Sequence, residues 1–306
     1  MSVPMHQLPR QQPSVWLPAS VEEALLMKQK WGDDAVLVAG GTWLRTRWEN
    51  GLSPVPGQLI SLGRIPSLSA LTVDSIGNVH IGPALSLADL LTNPLVQKKC
   101  GLLLQACAEI AAPSVRNLAS IGGNVMTRTG DLIPALLVMD AHVSCSDGKA
   151  NRTLPLAEWL RSPGPVPDEV MTAIVIPASG HDGTGQDVSA EFYLKVGRRE
   201  AFTPSVVTVA GRLSLGSDGT IIALALAAGG GNAIPARFEE LEAAAVGQKL
   251  SKLLLQSLHA GVLAQFDAVA DDYAGISYRK QTAANLIVSE LYKAWRKGGG
   301  SDAGKP

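Results

Sequence analysis

Two short glycine-bearing stretches, Leu37-Val38-Ala39-Gly40-Gly41-Thr42 and Ala119-Ser120-Ile121-Gly122-Gly123-Asn124, constrain this chain more than any other feature. Each follows an apolar or small-residue run and puts adjacent glycines where backbone N–H groups can turn toward an anion, with no Cβ in the way. One double glycine alone is most often a tight turn. Two, with hydroxyl and amide side chains beside them, suit a diphosphate-bearing cofactor, provided the fold brings together stretches that lie far apart in sequence.

The local signals around the first stretch read as α/β structure. Ser20-Val21-Glu22-Glu23 forms a capping box, so a helix starts there. Val21, Ala24, Leu25 and Trp31 follow at helical spacing, and Gly32 is placed to end the helix in a left-handed conformation. Ala35 to Ala39 is short and apolar like a buried strand, which puts the glycines at a strand's C-terminal end, where ligands commonly bind. A second strand is expected at Gln58 to Leu62.

Alternating segments at Ser69 to Val73 and Asn78 to Gly82 open a second α+β region. Helices are expected at Ser86 to Leu91, Gly101 to Ala111, where Pro113 marks the end, and Ala135 to Asp140. Strands are expected at Ala141 to Cys145 and Met171 to Ile176. The polar, glycine-rich stretch between Ser179 and Ser189 reads as a domain boundary. Strands at Glu191 to Val196, Val206 to Leu215 and Ile221 to Ala228 come next, the last two joined as a hairpin through Gly216-Ser217-Asp218-Gly219. Helices dominate from Phe238 to about Ala270 and from Gln281 to Lys297. These readings divide the chain into 1–62, 63–180 and 188–297, with 298–306 a flexible tail.

Composition narrows the function class. A hydrophobic fraction of 46% with 17% charged residues is that of a globular protein, and 306 residues suffice for several cores. A net charge of -1 supplies no global field for nucleic acid or an anionic membrane. The N-terminus has no secretory core and no apolar run spans a membrane, so a soluble cytoplasmic protein is expected. Cys100, Cys107 and Cys145 form no Cys-x-x-Cys pair, which argues against a disulfide framework or an iron–sulfur site on this chain. His6, His80, His142, His181 and His259 lack metal-ligand spacing, and no catalytic nucleophile can be assigned. Arg198-Arg199-Glu200 fits either an ion-pair turn or part of a subunit interface.

The second glycine stretch continues as Val125-Met126-Thr127-Arg128-Thr129-Gly130-Asp131 and ends in a carboxylate. Diphosphate needs donors and close backbone approach, while ribose or ribityl hydroxyls can donate to an Asp. The alternative is a polar loop in which Ser120 and Asn124 cap their own backbone. Neither stretch is the Gly-x-Gly-x-x-Gly of a Rossmann unit, so a different cofactor fold is implied.

At these residues the chain resembles the FAD-binding medium subunit of the molybdenum hydroxylases, the group of xanthine and carbon monoxide dehydrogenases. Further stretches that carry the resemblance are Ile110 through Asp131, Phe192-Tyr193-Leu194-Lys195-Val196-Gly197-Arg198-Arg199, Gly231-Asn232-Ala233-Ile234-Pro235-Ala236-Arg237 and Ser277-Tyr278-Arg279-Lys280. The resemblance implies an α+β architecture: a two-subdomain FAD-binding fold of the vanillyl-alcohol-oxidase (PCMH) type, then a C-terminal domain with an antiparallel sheet and a helical bundle. It puts Leu37, Val38, Ala39, Gly40, Gly41, Thr42, Trp43 and Leu44, with Ser120, Ile121, Gly122, Gly123 and Asn124, around the diphosphate and ribityl chain. Asp131 would meet cofactor hydroxyls, and Ile110, Met171 and Lys195 would line the flavin or adenine environment. Met171 also fits plain strand core, and Lys195 an exposed strand cation.

The resemblance further implies an electron-transfer oxidoreductase subunit. Electrons would reach FAD from 2Fe-2S clusters on a partner subunit and leave to NAD or another acceptor, with molybdopterin and substrate on a larger partner chain. Relatives of the wider fold that attach FAD covalently often carry His where this chain has Thr42, so noncovalent FAD is expected. One alternative is a self-contained flavin oxidoreductase of the same fold; another, motivated by Trp43 and Arg45, which depart from the smaller or apolar residues usual after the first stretch, is an assembly subunit with a decayed flavin site.

Overall fold

The computed structural model describes residues 12–164, 166, 168–178, 190–198 and 204–297. The expected boundary at 179–189, the tail at 298–306, Arg199, Glu200, His6 and His181 lie outside the described residues.

The first region runs β1 (Ser14–Trp16), α1 (Val21–Trp31), β2 (Ala35–Val38), α2 (Thr42–Glu49) and β3 (Gln58–Ser61). Ser20 caps α1, its hydroxyl accepting from Glu23 N–H at 3.2 Å, and the Glu23 carboxylate accepts from Ala19 N–H, one residue before the position a capping box would use. Gly32 has the positive φ expected of it, but its ψ of -126° lies outside the left-handed helical region, so the chain leaves α1 in a different direction. The three strands form a parallel sheet in the order β1-β3-β2. Because β2 is an edge strand, only Ala35 is buried and Val36 to Val38 are half-buried, unlike the buried strand the apolar run predicts. The first core packs Val21, Ala24 and Leu25 of α1 on Ala35 and Ile60, and takes in Ile65, Leu68 and Val170 from beyond residue 62.

The second region holds β4 (Leu71–Val73), β5 (Val79–Ile81), α3 (Leu87–Thr92), α4 (Pro94–Lys99), α5 (Gly101–Glu109), α6 (Pro113–Arg116), α7 (Ile121–Met126), α8 (Ile133–Val138), β6 (His142–Ser146), β7 (Asn151–Pro155), α9 (Leu156–Arg161) and β8 (Val170–Ile176). Its strands pair antiparallel in the order β4-β5-β8-β6-β7. Pro113 does not end α5, which stops at Glu109; it opens α6, because a proline at a helix's first position lacks only an N–H that would have no helical acceptor. The second glycine stretch is likewise a helix start: Ser120 caps α7, accepting from Gly123 N–H at 3.1 Å, while Ile121 and Val125 bury the helix's apolar side. The cap and this burial offset the poor helix propensity of two glycines. Every residue of α8 is buried, which makes it the central strut of the molecule.

The third region is an antiparallel sheet in the order β12-β11-β10-β9, from β9 (Ala190–Gly197), β10 (Ser205–Leu215), β11 (Ile221–Gly230) and β12 (Ala233–Arg237). Helices α10 (Glu239–Ala245), α11 (Lys252–Gln265) and α12 (Ile276–Lys297) follow. The expected hairpin turn is present, Gly219 N–H donating to the Gly216 carbonyl at 3.0 Å. Strand β12 is hidden in sequence by Pro235, which an edge strand accommodates because the missing N–H costs no ladder bond there. Alternation gives the sheet two jobs. Val207, Val209, Leu213 and Leu226 face a core shared with α11 and α12, whereas Tyr193, Ala210 and Ala227 join the core of the second region.

Candidate functional site

The fold brings the two glycine stretches into direct contact. A Cβ on Gly40 would lie 2.6 Å from the carbonyl carbon of Leu118, closer still to its oxygen, and 3.1 Å from Ala119 Cα. No side chain fits there, so Gly40 is the point at which the first stretch meets the backbone leading into the second. The chain leaves β2 at Val38 and turns through Gly41, whose φ of +67° is left-handed and favours glycine. Gly41 is the cap residue of α2, and no side chain caps that helix. Thr42, Trp43 and Leu44 form its first turn, where N–H groups have no intrahelical acceptor, so this end offers donors and a positive dipole to an anion.

The second stretch is built differently. Ser86 and Ser120 bridge antiparallel, with Leu87 N–H donating to the Ala119 carbonyl at 2.9 Å. Ile121 N–H donates to Leu85 O at 3.0 Å, Gly122 N–H to Pro83 O at 2.9 Å and Asn124 N–H to Ser120 O at 3.0 Å. With Gly123 N–H on the Ser120 hydroxyl, the amides from Ile121 to Asn124 all have acceptors within the protein. Gly122 is required for packing, since a Cβ would lie 2.7 Å from Pro83 O and nearer to Pro83 Cβ. Gly123 is exposed, and a Cβ there would meet only the Ser120 hydroxyl, at 2.9 Å. Ser120 thus caps its own backbone as the polar alternative has it, but Ile121 and Gly122 are held by Leu85 and Pro83, and the stretch is a helix start instead of a loop. What it can still offer a ligand is side-chain chemistry: Asn124 Oδ1 accepts from Leu132 N–H at 3.0 Å, which orients the NH₂ end as a donor.

A second cluster forms where the C-terminal sheet covers the second region. Lys195 on β9 pairs with Asp131, Nζ to Oδ2 at 3.0 Å, with the side chains only 7% and 16% exposed. Lys195 also donates to the Glu109 carbonyl at 3.1 Å, which places it beside the buried Ile110. Ser205, the first residue of β10, donates its hydroxyl to Asp131 Oδ1 at 2.6 Å, and Tyr193 donates to the Asp131 backbone carbonyl at 2.9 Å. Burial pushes the Tyr193 phenol well above its ordinary range, with the nearby Asp131 charge acting the same way, so it stays a donor. Asp131, Lys195 and Ile110 are thus neighbours. Met171 lies apart from them on β8, buried in the core opposite Cys145.

Trp43 is 47% exposed, with the Arg47 guanidinium 4.8 Å from its ring, and Arg45 pairs with Glu49 at 2.7 Å on the outer side of α2. These two departures decorate the surface of α2 and do not fill the turn before it. The residues that sequence reasoning did not single out are Pro83 and Leu85, which with Leu118 seat the stretches, and Ser205. Tyr193 stands inside a quoted motif, but a serine opening a strand carries no signal of its own.

The donor set fits a dinucleotide: uncapped amides at α2, half-buried apolar surface along Leu37 and Val38, an oriented amide at Asn124, and a carboxylate at Asp131. Among the described residues no group of His, Cys, Asp and Glu could hold a metal, and no helix is long and apolar enough to cross a membrane. Elsewhere, a cleft of about 550 Å³ lies between α11 and α12, lined by Lys252, His259, Asn285 and Tyr292 among others, far in the fold from both glycine stretches.

Comparison with known proteins identifies the family. Residues 10–179 match the family described as FAD binding domain in molybdopterin dehydrogenase, and residues 192–294 match the CO dehydrogenase flavoprotein C-terminal domain. The chain belongs to this family of FAD-binding subunits of molybdenum hydroxylases. It is 28% identical to the carbon monoxide dehydrogenase medium chain of Hydrogenophaga pseudoflava, over 92% of this chain and 96% of that one. It is 27% identical to the 6-hydroxypseudooxynicotine dehydrogenase complex subunit alpha of Paenarthrobacter nicotinovorans, over 90% and 92%. A solved carbon monoxide dehydrogenase from Hydrogenophaga pseudoflava superposes with a TM-score of 0.83 at 26% identity, covering 95% of this chain and 99% of the other.

Proposed function

We propose that this chain is the electron-transfer flavoprotein subunit of a multi-subunit molybdenum hydroxylase, holding FAD noncovalently. Bound FAD supplies reversible redox chemistry through which electrons from 2Fe-2S clusters on one partner subunit pass to NAD or another acceptor. Molybdopterin and the substrate to be oxidised belong to a second, larger partner. The single observation that carries this reading is the contact of Gly40 with Leu118 and Ala119, which joins both glycine stretches into one binding surface. Around it, α2's first-turn amides hold the diphosphate, with Leu37 to Leu44 lining one side and Ser120 to Asn124 the other. Asp131 accepts from cofactor hydroxyls, and Ile110 and Lys195 border the same site. Met171 stays in the core on β8, apart from this cluster. Thr42 offers no imidazole for a covalent link, which favours reversible binding. The chain contributes positioning and electrostatics, consistent with the lack of an assignable nucleophile.

The test is purification of the native complex, with its absorption spectrum and metal analysis. Flavin on this chain, with iron and molybdenum on co-purifying chains, is the expected result. A yellow single chain that turns over substrate without partners would refute the reading. On the isolated full chain, Gly41→Val and Gly123→Val should each abolish FAD retention; unchanged flavin stoichiometry in both would remove the diphosphate assignment.

A further inference from the structure

Asp131 belongs to the FAD-binding region, yet the groups that hold its carboxylate come from the C-terminal sheet. Ser205 on β10 donates to Oδ1 and Lys195 on β9 pairs with Oδ2, while Tyr193 on β9 fixes the backbone carbonyl of the same residue. These strands are neighbours, with Ser205 opposite Gly197 and Lys195 opposite Thr208, so the donors are spaced by the ladder and not by flexible loops. A carboxylate has about four lone-pair sites. One on each oxygen is taken by the sheet, which among the described residues leaves one on each oxygen for hydroxyl donors. The low exposure of the pair confines those free lone pairs to a narrow opening, and it strengthens the two charge-assisted bonds that set the carboxylate's plane.

We propose that Ser205 is a positioning residue for the cofactor: by holding Asp131 Oδ1 it orients the carboxylate toward vicinal hydroxyls of the dinucleotide's ribityl or ribose unit, so the C-terminal domain completes the FAD site. The inference rests on the proposed role of Asp131 toward FAD. Lys195 alone, an ammonium on a flexible stem, can follow its oxygen as the carboxylate turns about the Cβ–Cγ bond. The Ser205 hydroxyl removes that rotation, and with it the need for FAD to order the group on binding. The anchor is itself braced, since Gly231 N–H donates to the Ser205 carbonyl at 3.0 Å and the buried Arg279 guanidinium donates to the carbonyl of Val206.

The test measures FAD dissociation constants on the deflavinated full chain by flavin fluorescence, with the visible circular dichroism of the bound flavin and the melting temperature followed in parallel. Ser205→Ala should raise Kd about 5- to 20-fold and change the flavin dichroism, with the melting temperature nearly kept, and Ser205→Thr should restore both. Asp131→Asn should lose much less further affinity in the Ser205→Ala background than alone, because the two act through one hydrogen bond. Unchanged Kd and dichroism in Ser205→Ala, with Asp131→Ala weakening FAD at least tenfold, would overturn the positioning role while leaving the site in place. No effect from Asp131→Ala would overturn the reading of the site itself. If Ser205→Ala does not fold, Ser205→Cys, a weaker donor of similar size, should give an intermediate Kd; a wild-type Kd there overturns the inference.

Discussion

At Gly40 and Gly41 the backbone bends through a left-handed residue into a helix whose first amides have no acceptor among the described residues, whereas at Gly122 and Gly123 the amides from Ile121 to Asn124 are all bonded inside the protein. The first stretch leads into open helix amides, and the second is closed on its own acceptors. Gly122 lets α7 press against Pro83, and Gly40 lets the first stretch reach Leu118, so glycine serves close approach at both. Only Gly41 serves conformation, and only the first stretch presents backbone donors. The lesson is that a double glycine does not by itself mean an anion nest; what matters is whether the neighbouring N–H groups already have partners.

Substitutions can break this contrast. The largest effect is expected for Gly40→Ala, which drives a methyl into the Leu118 carbonyl and must part the two stretches; we expect loss of about 3 kcal/mol of stability and no retained FAD. Chemical denaturation and flavin stoichiometry report the two consequences separately. Gly122→Ala should cost about 2 kcal/mol through the Pro83 contact, with FAD affinity of the folded fraction reduced far less than in Gly40→Ala. A large affinity loss at unchanged stability in Gly122→Ala would mean that the second stretch touches the cofactor through its backbone after all.

Gly41→Ala keeps the site's atoms but demands a left-handed alanine at φ +67°, for about 1–2 kcal/mol. If the amides of α2 hold the diphosphate, its Kd for FAD should rise several-fold as the turn relaxes, measured by fluorescence titration. The smallest effect concerns neither stretch. Burial pushes the thiols of Cys100 and Cys145 up to about 11 and that of Cys107 to about 12, from an ordinary 9.0. As pH rises above about 9 the unfolded chain releases these protons first, so this contribution to stability is intact below that pH and is lost progressively up to 11–12. Melting temperatures across that range should fall, and alkylation at pH 8 should be negligible without denaturant; rapid labelling of the native protein would contradict the burial.

Most of the regular structure was legible because hydrophobic period and caps are local. The Ser20 cap and the alternation through Val206 to Leu215 and Ile221 to Ala228 lead directly to α1, β10 and β11. Other features were not, among them the short elements β1, α2, α4, β7 and α9. Pro113 and Gly122 read as breakers although Pro113 opens α6 and Gly122 lies in the first turn of α7, where a residue that weakens a helix interior costs less. Strand β12 was masked by Pro235, and the half-exposure of β2 follows from its edge position, which no local window contains.

By itself the amino-acid sequence determined the order of the elements, the two glycine stretches and the chemical types at Asp131, Asn124 and Lys195, because residue identity and short-range spacing are properties of the linear chain. Only the tertiary structure decided that Gly40 abuts Leu118, that the amides of the second stretch are already bonded, and that Ser205 reaches across from the C-terminal sheet to Asp131. Those outcomes depend on which hydrogen-bond acceptors and which close contacts the packed chain supplies, and residues distant in sequence supply several of them.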